Sequence, residues 1–62
     1  MNREELNKIL SDAVIRRMMA LQVGDRVKSQ DYEKFKARVL KLNLSAGEYE
    51  KAIRRLATAL GI

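Results

Sequence analysis

Six cations at helical spacing are the residues best placed to do chemistry in this chain. Lys34, Arg38 and Lys41 follow one another at intervals of four and three, and Lys51, Arg54 and Arg55 at intervals of three and one. On a helix turning about 100° per residue, the first set forms a row and the second fills one outward sector. Their chemistry is the binding of anions: the phosphates of nucleic acid, duplex DNA in the first place, or the carboxylates of an acidic protein surface. Like charges kept in a row cost a few tenths of a kcal/mol per pair. An external anion is one explanation for keeping them, and a solvated face is the other. Glu48 and Glu50 flank the second set and would repel phosphate.

No other residues suggest a reaction. Cysteine, histidine, tryptophan and proline are all absent, which removes thiolate and imidazole ligands, disulfide staples and the commonest acid–base side chain. Ser29 and Ser45 are placed to cap helices, and Ser11 falls inside one with no base beside it. The pairs Glu4/Glu5 and Glu48/Glu50 lie at exposed helix starts. Glycine-rich phosphate loops and metal-ligand spacings do not occur. The expectation is therefore a protein that is not an enzyme, with no cofactor, no metal and no small-molecule substrate.

These cations have to be positioned by a small fold. Sixty-two residues suffice for one domain, residues 1–62, which buries only about 60% of the surface its unfolded chain exposes. Hydrophobic residues at 47% and charged residues at 34% describe a folded chain, since a disordered one lacks that apolar share. A net charge of +5 and a pI near 10.0 favour acidic partners. The longest uncharged apolar run, Met18 to Leu21, is far too short to span a membrane, and the first residues are acidic where a signal peptide is basic. The expected setting is cytoplasmic, without a membrane partner.

The periodicity predicts an all-α fold: a small three-helix bundle with helices near Arg3 to Gln22, Gln30 to Leu42 and Ala46 to Leu60. Asn2 caps the first helix, with a possible staple between Met1 and Leu6. Gly24 stops it, and Val27 alone in the following connection suits the core. Ser29 caps the second helix, whose inward stripe is Tyr32, Phe35, Val39 and Leu42. Asn43 and Ser45 then make a tight helix-turn-helix corner. Asn43 tolerates the left-handed conformation that ends helix 2, and Ser45 can cap helix 3 while Glu48 reaches back to it. Helix 3 offers Tyr49, Ala52, Ile53, Leu56 and Leu60 inward and ends at Gly61. The side chains expected to be most buried are Leu10, Val14, Phe35, Val39, Leu44, Tyr49, Ile53 and Leu56.

Helix 1 is less regular. Leu6, Ile9, Leu10 and Ala13 share a face, but from Val14 onward the apolar residues are Val14, Ile15, Met18, Met19 and Leu21, which drift round the helix. Either its two halves pack on different neighbours within the bundle, or another chain covers the surplus. Arg17 falls within the early stripe, where its stem can pack while its guanidinium reaches out.

Two functional readings follow. One is a small, basic, helix-turn-helix-like regulatory protein that binds nucleic acid through Lys34, Arg38, Lys41, Lys51, Arg54 and Arg55 and dimerises. In it helix 3 enters a groove and stands at a steep angle to helix 2. The other is an interaction module or small inhibitor that docks a partner, or a second copy, through Ile15, Met18 and Met19 without touching nucleic acid. An ordinary αα corner would produce the same pattern between helices 2 and 3.

Overall fold

A computed structural model of the protein describes residues 2–62, Asn2 through its backbone alone. The expected Asn2 cap and Met1–Leu6 contact lie outside the described residues. The chain rises, descends and rises again in three helices: α1 (Asn2–Gln22), α2 (Ser29–Leu40) and α3 (Ala46–Leu60). There is no strand among the described residues.

Each helix ends where the backbone chemistry requires. After α1, Gly24 takes a left-handed φ of 72°. Its N–H bonds to the Leu21 carbonyl at 3.3 Å while the Asp25 N–H bonds to that of Ala20 at 2.8 Å, the pair of bonds that closes a helix around a left-handed residue. Gly61 (φ 76°) closes α3 the same way, with Ile62 N–H reaching the Ala57 carbonyl at 3.0 Å. A Cβ at Gly61 would also lie 2.8 Å from Arg17 Nε, so the Arg17 stem packs over the end of α3. Asn43, at φ 54°, ends α2. That helix stops at Leu40 and not Leu42, because the Leu42 and Asn43 amides bond back three residues, to Val39 at 3.1 Å and Leu40 at 3.4 Å, tightening the last turn.

The corner of residues 41–45 delivers Ser45, whose Oγ accepts from the Glu48 N–H at 3.4 Å. Only the Ser45 half of the expected reciprocal pair forms; Glu48 instead lines a groove beside α1. At the start of α2 the cap is Lys28 and not Ser29. Asp31 decides this, because its Oδ2 accepts from the Lys28 backbone N–H at 3.0 Å and so draws the helix start back by one residue.

Asp31 also fastens α2 to α1. The same oxygen accepts from Arg16 Nη2 at 3.2 Å, and about 10 Å further along α2 the helix is pinned again by Arg38 Nη2 donating to Asp12 Oδ2 at 3.0 Å. The Lys28 amide, and after it the Arg16 guanidinium, hold the Asp31 carboxyl below the usual aspartate range. A carboxylate depressed in the folded state adds stability above its unfolded pKa of about 4 and loses it as pH falls towards the folded value. We expect wild-type thermal stability to decline as pH drops below about 4, and Asp31→Asn to melt lower at neutral pH with a shallower acid decline. Parallel melting curves for both proteins across that range would exclude the role.

The core has two layers. Ile9, Val39 and Ala52 form one, with Leu6, Leu42, Leu44 and Tyr49 against it. Ala13, Leu56 and Leu60 form the other, with Leu10, Val27, Tyr32 and Ala59; Phe35 and Ile53 touch both. The early part of α1 thus meets the early part of α3, and the start of α2 meets the end of α3: α1 and α3 run parallel, and α2 runs against both. The dimensions agree, for the molecule measures 36 × 19 × 15 Å and α3, at about 22 Å long, exceeds both short axes. The corner therefore joins two helices of opposite direction, as in an αα-hairpin.

Val39 and Leu56 are fully buried as expected, but Val14 is 43% exposed. The deepest positions include Ala13, Ala20 and Ala52, because the helices approach most closely where side chains are small. The early stripe of α1 does not rotate. It continues straight through Ala13 and Ala20, at helical spacing from Ile9.

Candidate interaction surfaces

With the core face of α1 fixed by Ile9, Ala13 and Ala20, the opposite face of its second half is apolar and open. Ile15 is 53%, Met18 56%, Met19 57% and Leu21 69% exposed, beside Val14. The second half of α1 packs in the bundle through Ala20 alone, and the connection after it does not cover the surplus, since Val27 turns inward onto the Leu56–Leu60 layer. The first half of α1 presents Glu4, Asn7, Lys8 and Ser11 outward, so the patch is confined to the last three turns. It amounts to on the order of 500 Å², the upper end of what the largest apolar patch on a monomer covers. Ile15, Met18 and Met19 are brought together here as the spacing predicts; Val14 and Leu21 complete the patch.

The six cations are not brought together. Arg38 leaves α2 on the side of α1, where it meets Asp12 and lies 5.5 Å from the centre of the Phe35 ring. Lys34 and Lys41 lie within roughly 60° of it on the helix and share that edge. Lys51 and Arg55 leave α3 on the other side of α1, where with Arg3, Asn7 and Glu48 they line an open groove of about 560 Å³ floored by Leu6, Leu44 and Ala52. Arg54 lies about 60° from Lys51 on α3 but does not line that groove, and it pairs with Glu50 at 3.0 Å. Two cationic edges thus flank α1, one on each side.

Of the six, Arg38 and Arg54 form salt bridges; among the described residues Lys34, Lys41, Lys51 and Arg55 form none, although the Lys34 charge acts on Asp31 from a distance. Pairing with Asp31 also pushes the Arg16 guanidinium further up, so that link stays charged throughout the ordinary pH range. Arg3 and Asn7 are additions that sequence reasoning missed. They sit four apart on α1, but only the parallel packing of α1 on α3 brings them to Lys51 and Arg55. Among the described residues no group of acidic side chains is arranged to hold a metal ion, and no helix is long and apolar enough to cross a membrane.

No protein-family model matches the chain, and no curated protein or solved structure matches it.

Proposed function

We propose that this chain is a protein–protein interaction module that docks through the outer face of α1. The observation that carries this reading is the contiguity of Val14, Ile15, Met18, Met19 and Leu21, each at least 43% exposed, on one side of one helix. Scattered apolar residues are ordinary on a protein surface, whereas a joined patch of this size, rimmed by polar groups, marks a contact surface. Two of the five are methionines, whose flexible thioethers adapt to a partner's relief. A photo-crosslinking residue substituted at Met18 should yield one discrete adduct in the cells that make the protein, while the same group at the exposed Glu33 yields none. Loss of the adduct at Met18, or equal labelling at both positions, would end this reading.

A second reading has its own support. Among the described residues Lys34, Lys41, Lys51 and Arg55 form no salt bridge, which leaves them able to neutralise the phosphates of nucleic acid. The antiparallel packing of α2 and α3 favours backbone contact over base reading. The two readings are compatible, because the cationic edges lie beside the apolar face and not on it.

A further inference from the structure

We propose that the occupant of the α1 face is a second copy of this chain, docked antiparallel about a two-fold axis so that Ile15 of each copy meets Met18 of the other. This rests on the reading of that face as a docking surface. Ser11, Ile15, Met18 and Gln22 form the outward line of the patch, at intervals of four, three and four. That sequence of intervals is the same read in either direction. Reversing the helix against itself therefore superimposes apolar on apolar at the centre and polar on polar at both ends, Ser11 against Gln22. Val14 and Met19 exchange in the same register.

Charge selects the antiparallel arrangement. Lys8 continues the outward line towards the start of α1 and Glu4 lies one step further; the antiparallel register carries both past the end of the second copy's helix, clear of their own counterparts. A parallel pair would stack Lys8 on Lys8 and Glu4 on Glu4. Size agrees with a second copy as well. Two patches of the α1 kind bury on the order of 1,000 Å² together, the lower bound for a specific interface, which implies a weak, concentration-dependent dimer.

The two-fold has a consequence for the cationic edges. An axis perpendicular to paired α1 helices places the α2 edges of both copies on one side of the dimer and both α1–α3 grooves on the other. Lys34 and Lys41, two cations without a salt bridge among the described residues of one chain, become four on one face. Association thus assembles a cationic surface for an anionic polymer that a single copy does not offer.

Sedimentation equilibrium of the purified 62-residue chain should show the mass rising from one chain towards two between micromolar and millimolar concentration. Ile15→Lys with Met18→Lys should hold it at one chain throughout, with its helical content retained. The register is read separately. The chain has no cysteine of its own, so an equimolar mixture of Ile15→Cys and Met18→Cys proteins should oxidise preferentially to the mixed disulfide. Predominance of either like-with-like disulfide would overturn the antiparallel register. A wild-type chain that stays monomeric at millimolar concentration while Met18 still crosslinks a different protein would overturn the second copy and leave the docking face standing. Monomeric behaviour with no crosslink at Met18 would remove both.

Discussion

Leu56→Ala is expected to leave much of this protein unfolded at 25 °C. Leu56 is fully buried between Ala13 on α1 and Leu60 on its own helix, with Phe35 reaching in from α2. Truncating a buried leucine costs about 2–5 kcal/mol, and the cost rises with the cavity left behind. Here the cavity is hard to refill, since the residue facing it on α1 is an alanine that cannot swing into the space, and closing it would require whole helices to move. A domain of this length has about 3–5 kcal/mol in reserve without disulfides or metal, so the upper part of the range consumes it. Val14→Ala, on the exposed side of α1, should change stability by no more than about 0.5 kcal/mol. Urea titration followed by circular dichroism, at a protein concentration low enough to avoid association, separates the two. A Leu56→Ala midpoint equal to that of wild type would show that the layer of Ala13, Leu56 and Leu60 is not where the stability resides.

What could be read ahead of the fold, and what could not, divides along the line between local and tertiary causes. Gly24, Asn43, Ser45 and Gly61 act within one turn of backbone, and each ends or starts a helix where its type requires it to. The apolar intervals of α2 and α3 are likewise local, and they placed Val39, Ala52, Leu56 and Leu60 inward. Helix α1 misled because its apolar residues outnumber its core positions. Val14 is larger than Ala13 and so ranks as the better core candidate by composition, yet the closest helix approach selects the alanine. Ser29 was displaced as a cap by Asp31, whose bond to the Lys28 amide depends partly on Arg16 holding that carboxylate from another helix.

The candidate surfaces show the same division. That Ile15, Met18 and Met19 share a side of α1 follows from spacing alone, and they do share it. Whether Lys34, Arg38 and Lys41 join Lys51, Arg54 and Arg55 depends on where α1 lies between them, which no interval within one helix reveals. Because α2 is drawn onto α1 by Asp12–Arg38 and Arg16–Asp31, its cations end on the far side of α1 from the groove of Arg3, Lys51 and Arg55.

That separation shapes the expected response to salt. If either edge meets duplex DNA, its two cations neutralise about two phosphates per chain, so log K should fall against log salt with a slope of about −2, or about tenfold in affinity between 50 and 200 mM salt. Sequence preference should be slight, since α3 lies along the bundle and its residues are not aimed into a groove. Replacing all four by alanine should bring the slope close to zero while leaving the fold intact, because none of them forms a salt bridge among the described residues. Arg54→Ala should matter less. Its exposed pair with Glu50 is weak and would not hold it back, but it does not line the groove of Lys51 and Arg55. Arg38→Ala should act differently again, lowering stability by freeing Asp12 and α2 from α1. Fluorescence anisotropy with labelled duplexes of unrelated sequence, repeated across salt, reads all of these effects. A wild-type slope that the fourfold substitution leaves unchanged would show that phosphate is not what these four cations meet, and would assign them to an acidic protein surface or to solubility.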